Sequence, residues 1–291
     1  MAQSEQEVFT AFDATNLIAP GATLTRVSNQ FSFTEGPAVD AEGNVFFTDQ
    51  PNDKIWRYGI DGTLSVFMEK SGRSNGMYFD PAGNLVTCAD EKNEIWSISP
   101  QGKVTVLMTD HEGSRLNGPN DLWIDQKGNI YFTDPYYERD YWAHNGPQVT
   151  GEYLYFLPHG KPHPEKVDTD YVKPNGIIGT ADGKQLYVAD IDDDKTYRYT
   201  INSDASLKDR QLFVEQGSDG MTLDEQGNLY LTGGDGVTVY SPAGEKIAQI
   251  PIDEDWTGNI CFAGTDRQTL FITASESIYT LKMQVAGQNK A

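Results

Sequence analysis

Six oxygen-bearing side chains occupy one repeated position: Glu35, Asn75, Asn120, Asn175, Asp219 and Asn259. Each lies eight residues ahead of a short turn, centred on Gly43, Gly83, Gly128, Gly183, Gly227 and, in the last copy, Arg267. Two carboxylates and four amides brought to a common point form a set of hard oxygen ligands, which suits Ca2+ or Mg2+ better than zinc or copper. Such a set also explains why a carboxylate, Glu35, stands inside an apolar stretch, because a cation compensates a charge that is otherwise very costly to bury. Asn-Gly is a common turn dipeptide, so Asn75-Gly76 or Asn175-Gly176 taken singly reads as a turn. Six matches in one register point instead to a ring, whereas Asn117-Gly118 and Asn145-Gly146 fall outside it and read as turns. Spacing leaves open which of the six touch the ion.

The elements that must position these residues are hairpins. "AVDAEGNVFFTD", "YFDPAGNLVTCAD", "WIDQKGNIYFTD", "IGTADGKQLYVAD", "TLDEQGNLYLTGGD" and the degenerate "FAGTDRQTLFITAS" each run apolar strand, Gly/Asn/Asp turn, apolar strand. Two further strands follow most copies, as in "KIWRYGIDGTLSVFM" and "EIWSISPQGKVTVLM". The turns recur every 40 to 55 residues, the length of a four-stranded propeller blade. The reading is all-β, a six-bladed β-propeller. The last copy is one strand short, and "ATLTRV" at 22–27 is placed to supply it and close the ring. Residues 1–20 read as a polar tail and 21–291 as a single domain. The first strand of each blade lines the central channel, so equal register puts the six side chains at one level, at one mouth.

Composition narrows the partners. A formal charge of -21 argues against nucleic acid, whose phosphates need Lys and Arg, and against an anionic membrane surface. No apolar run approaches the roughly 20 residues of a membrane helix. The start, "MAQSEQEVFTAFDATN", lacks the apolar core of an export signal and reads as cytoplasmic, while a signal removed ahead of it leaves a periplasmic location open. Cys88 and Cys261 sit in apolar strands and read as buried free thiols, and no Cys/His cluster suggests a structural zinc site.

A second series, Asp49, Asp90, Asp134, Asp190 and, less regularly, Asp235, returns to the same face, where it reads first as side chains capping turns or bracing adjacent blades, and functionally as groups orienting the amide ligands. The mouth would be walled by two loops. "PYYERDYWAHNGPQVT" brings Tyr136, Tyr137, Tyr141, Trp142 and His144, and "TDHEGSRLNGP" brings His111 and Arg115. Aromatic and polar groups around a cavity suit a sugar-like ligand. His159 and His163 fall in a turn on the far side.

"FTEGPAVD", "LNGPNDLWID", "YFTDPYY", "KPNGIIGTADGKQLYVAD" and "SDGMTLDEQGNLYLT" together resemble the SMP-30/gluconolactonase/LRE-like family of calcium-dependent hydrolases, in its bacterial gluconolactonase branch. The resemblance implies metal ligation by Glu35, Asn175 and Asp219, with Asn120 at or beside the metal. It does not require Asn75 or Asn259, which are expected to line the channel and face substrate. It further implies hydrolysis of a lactone, most simply a sugar lactone, on bound Ca2+, for which Mg2+, Mn2+ or Zn2+ could substitute, and which would polarise the carbonyl. A carboxylate beside the metal makes Asp219 the candidate general base, with metal-bound water or hydroxide as the alternative nucleophile. Two departures bear on the substrate. Blade 2 ends in "TCAD", and the position two residues before Asn120, a substrate-contacting arginine in animal members, is Gly118. Rival readings are an organophosphate hydrolase on the same metal ring, a calcium-bound module without activity, and a strictosidine-synthase-like condensing enzyme. The sequence leaves the oligomeric state unspecified.

Overall fold

A computed structural model describes residues 16–288. Six four-stranded antiparallel sheets are arranged around a channel, and strand order follows the chain in five of them. The inner strands are Thr34–Val39, Ser74–Phe79, Leu122–Ile124, Pro174–Gly179, Met221–Leu223 and Thr257–Ala263. The expected closing strand is present at Thr25–Ser28, pairing antiparallel with Ser277–Lys282 to complete blade 6. The ordered fold begins ahead of residue 21, because Leu17 is buried and its carbonyl accepts the Gln284 N–H at 2.7 Å. Residues 1–15 of the expected polar tail lie outside the described residues.

The recurring turn phrase D-x-x-G-N closes the inner hairpin on itself in four of the six blades. In blade 1 the Asp40 carboxylate accepts the Asn44 N–H at 2.8 Å and the Asn44 side-chain amide at 2.7 Å. The same pair of bonds recurs at Asp80/Asn84, Asp125/Asn129 and Asp224/Asn228. These Asx turns fix where the return strand starts, and so fix the register of the inner strand. In blade 6 Arg267 takes the glycine position at a left-handed φ of 56°. Its Nη2 donates to the Asp40 carbonyl at 2.6 Å, so the exception braces the seam where blade 6 meets blade 1.

Apolar faces of neighbouring blades pack against one another, with Phe47 and Phe271 at the seam and Tyr131, Leu186 and Leu229 among blades 3 to 5. A buried threonine on the second strand stitches one inner strand to the next. Thr133 Oγ1 donates to Asn175 O at 2.7 Å and Thr232 Oγ1 to Gly258 O at 2.7 Å. At the ring level the ladder breaks in every blade. Pairing shifts register between Glu35 and Ala38, Ser74 and Met77, Pro174 and Ile177, and Thr257 and Asn259. In blades 3 and 5 the ladder starts only after Asn120 and Asp219. A bulge re-aims the side chain it carries, and in each blade the break falls at the ring position. Cys88 and Cys261 are buried free thiols. Among the described residues no helix is long and apolar enough to cross a membrane.

Candidate metal centre

Glycines next to the ring residues let neighbouring blades approach. A Cβ on Gly258 would stand 2.6 Å from Glu35 Oε1, one on Gly220 2.0 Å from Asn259 Cγ, and one on Gly176 2.6 Å from the Asp219 carbonyl. The chain therefore brings Glu35, Asn175, Asp219 and Asn259 into one cluster, with Asn75 and Asn120 completing the circle. All of the ring positions but Asp219 are buried, Glu35 and Asn175 being only 3% and 2% exposed.

Glu35 Oε2 accepts the Gly36 N–H at 2.7 Å and a bond from the Asn259 side chain. Asp219 receives the Trp256 indole N–H at 2.5 Å and lies within hydrogen-bonding reach of Glu35 and Asn175. Burial, reinforced for Glu35 by the neighbouring Asp219 charge, pushes both carboxyl groups above their ordinary range. The Asn175 amide uses its nitrogen outward, donating to the Tyr137 hydroxyl at 3.1 Å, and its buried Oδ1 has no hydrogen-bond partner. The buried Oδ1 of Asn75 is also unpartnered.

Buried polar atoms are normally satisfied. Here the buried Glu35 and the partly buried Asp219 stand within reach of each other, the buried Oδ1 atoms of Asn75 and Asn175 lack partners, and among the described residues no Lys or Arg forms an ion pair with either carboxylate. The donor set fits a hard divalent cation. Among the described residues no group of three or more His, Cys, Asp or Glu side chains is placed to hold a metal ion, and only two of the six ring donors are carboxylates.

Asp121 completes the floor and was not among the sequence candidates. It follows Asn120 at the position where blades 1, 2, 4 and 5 carry glycine (Gly36, Gly76, Gly176, Gly220), and that irregularity was its signal. Its Oδ1 fills the space a Cβ on Gly76 would need, at 2.3 Å, and its Oδ2 accepts from Asn259 Nδ2 at 3.5 Å across the channel. Burial raises its pKa to about 7. Beyond it the channel widens at the turn face into a cavity of about 960 Å3, lined by Phe46, Met77, Trp123 and Phe262, with Asp121 and Asn259 at its inner end.

The aspartate series braces the ring through the backbone, not through the ligand amides. Asp49 accepts the N–H groups of Ser32 and Phe33, Asp134 those of Asn117 and Gly118, and Asp190 those of Val172 and Lys173. Each pair lies just ahead of a ring residue. Asp235 is exposed and takes no such part. Asp90 also differs, because Asp53 accepts the Arg73 N–H at 2.8 Å in its blade and Asp90 turns to the loop at 135–152.

That loop forms one wall. Tyr137 reaches Asn175, and Trp142 is buried, donating Nε1–H to the Asp90 carbonyl at 2.8 Å and packing on Tyr136 and His144. A Cβ on Gly118 would meet Trp142 at 3.2 Å and Asp90 at 2.8 Å, so the loop occupies the space an arginine there would need. His144 faces Asn93 at 3.1 Å, with its pKa lowered by burial and by Arg115. Arg115 braces the far end of the loop through Gly146 O. The structure does not bring His111 to the ring. Its Nδ1 meets the Pro164 carbonyl at 3.0 Å and its ring packs on Tyr155, on the outer strands of blade 3. His159 lies against the Gly128 turn, on the opposite face.

The fold and the ring define a six-bladed propeller with an oxygen-donor centre at one mouth of its channel. Residues 33–276 match the model of the SMP-30/gluconolactonase/LRE-like region, and the chain belongs to that family. It is 27% identical over 295 aligned positions to a gluconolactonase of Zymomonas mobilis, covering 90% of this chain and 81% of the relative. It is 26% identical to the diisopropyl-fluorophosphatase of Loligo vulgaris, covering 87% and 89%. Among solved structures it superposes on the gluconolactonase XC5397 of Xanthomonas campestris with a TM-score of 0.86, at 26% identity and 94% coverage of both chains.

Proposed function

We propose that this protein is a calcium-dependent hydrolase that opens the ring of a sugar lactone such as glucono-1,5-lactone. The observation that carries the reading is that Asp219 lies within hydrogen-bonding reach of both Glu35 and Asn175, whose buried Oδ1 has no partner. The gluconolactonase relatives support the substrate class. Glu35, Asn120, Asn175 and Asp219 would hold the cation, and Asn75, whose Oδ1 is equally unpartnered, stands beside them.

When bound, the cation supplies Lewis-acid polarisation of the ester carbonyl and charge for the developing oxyanion. The chain's own groups do the rest. Tyr137 fixes the Asn175 amide so that its oxygen points inward. Trp256 fixes Asp219, whose carboxylate takes a proton from the attacking water. The bond from the carbonyl carbon to the ring oxygen then breaks, and that oxygen receives the proton from Asp219, leaving the open-chain hydroxy acid. Tyr136, Tyr137 and Trp142 exclude water from one side.

Proton release from glucono-1,5-lactone, with the spontaneous rate subtracted, tests the reading on chelated protein before and after calcium is restored. Calcium-dependent acceleration is expected. Calcium binding without acceleration overturns the sugar-lactone assignment. Acceleration on a fluorophosphate ester but not on the lactone would favour the organophosphate reading that the squid relative keeps in view.

A further inference from the structure

In a chain with 43 acidic and 22 basic residues, the Arg139 guanidinium stands beside the ring's supports, with Lys173 on the same tyrosine and Arg73 over Tyr141. Arg139 Nε bonds the buried Asp90 carboxylate at 3.2 Å, and Asp90 also receives the Tyr141 hydroxyl and Gln50 Nε2. The guanidinium lies 5.4 Å from the ring centroid of Tyr137, whose hydroxyl holds Asn175. Arg139 thus touches the site through two of its walls. Only Nε is engaged. Among the described residues its two Nη nitrogens have no acceptor, and its side chain remains 26% exposed.

A guanidinium needed only to neutralise Asp90 would use its forked donors on the carboxylate, because the bidentate arrangement is the stronger one. Here only Nε reaches Asp90, and the guanidinium stands over a tyrosine whose hydroxyl holds Asn175. Asp90 is free for this because Asp53 has taken over the backbone bracing of blade 2. The loop that carries Arg139 is itself pinned to the same aspartate through Trp142.

We propose that Arg139 is a substrate-contacting specificity residue, its Nη donors binding the oxygen substituents of the lactone remote from the ester. The inference rests on reading the ring as the lactone site. It makes polyhydroxylated lactones the preferred class, because a rigid pair of donors left unpaired by a bare lactone discriminates against it.

The test compares glucono-1,5-lactone with δ-valerolactone, which has the same ester ring and no hydroxyls, on calcium-loaded wild type and Arg139→Gln. The ratio of kcat/KM for the two lactones is expected to fall roughly 10- to 100-fold in the variant, mainly through KM for gluconolactone. Partial unfolding lowers both rates alike and cancels in the ratio. Arg139→Lys, which keeps the charge but loses the fork, carries the test if Arg139→Gln does not fold, with the same direction expected. An unchanged ratio overturns the proposal and leaves Arg139 as a brace for Asp90. If wild type accepts only gluconolactone, raised KM with retained kcat supports the proposal, and a fall in kcat alone overturns it. Wild type inactive on gluconolactone with calcium bound would sink the lactone reading first, a result distinct from an active wild type with an unchanged ratio.

Discussion

Asp219 carries the heaviest load of any single residue, since it would serve as both ligand and base. Asp219→Ala should abolish calcium binding and lower kcat/KM by ~10^3-fold or more, measured by calorimetry and proton release. Asp219→Asn keeps an oxygen for the cation but cannot accept a proton, so a variant that binds calcium and turns over at the wild-type rate would remove the base assignment. Trp256→Phe deletes the indole N–H on Asp219 while keeping an aromatic ring, and kcat should fall by roughly 10-fold with calcium affinity nearly kept. A larger loss in affinity than in kcat would make Trp256 a brace for the metal and not for the base. The two side chains differ in how they are read. Asp219 is visible in the sequence because its own hairpin turn sets its register. Trp256 is not, because its partner is 37 residues away on another blade. Asp121 bonds across 138 residues and Arg139 across 49, and no local period carries such contacts. His111 shows the converse: nearness to Asn120 in the chain says nothing of direction, and the segment between them turns it toward Pro164.

At the scale of elements, the propeller was legible because every blade writes its own turn. The D-x-x-G-N phrase makes a closed set of bonds in four blades, and eight residues upstream the ladder always breaks. What the repeats do not display is how closely inner strands pass. Gly76 illustrates it, because its φ is unexceptional and only space demands glycine there. A Cβ would lie 2.3 Å from Asp121 Oδ1 and 2.6 Å from the Asn120 carbonyl. Gly76→Ala should therefore destabilise the fold by ~2 kcal/mol and spread the ring, so that calcium affinity falls with stability. Chemical denaturation with and without calcium checks this, and a variant of wild-type stability and affinity would show that blades 2 and 3 are not in close contact at the ring. The loop at 135–152 is the element the sequence placed best by composition and least well by detail. Its aromatics were evident, but its attachment to a single buried aspartate depends on blade 2 having a substitute brace in Asp53.

For the whole molecule, closure and charge are the two facts that matter. The N-terminal strand completes blade 6 and Arg267 ties its turn to Asp40, so the seam rests on both ends of the chain. Glu35, Asp121, Asp134 and Asp219 are all held above the ordinary carboxylate range by burial, Asp121 and Asp134 to about 7. From the ordinary range up to these values the folded, chelated chain keeps protons that the unfolded chain releases. Its stability should therefore fall as pH rises through that window. Chelated protein should melt several degrees higher near pH 5.5 than at pH 8, and saturating calcium should restore much of the loss at pH 8 by binding only the folded form. A chelated melting temperature that rises with pH would contradict the unpaired burial of these acids.

The central claim, that the ring holds one divalent cation and uses it to open a lactone, is tested most directly by a single calcium titration. Binding and glucono-1,5-lactone turnover would be followed together in wild type and in Glu35→Gln. The account predicts one site per chain, turnover that rises with its occupancy, and both curves displaced to higher calcium in the variant. Turnover indifferent to calcium, or binding untouched by loss of the Glu35 charge, would contradict it.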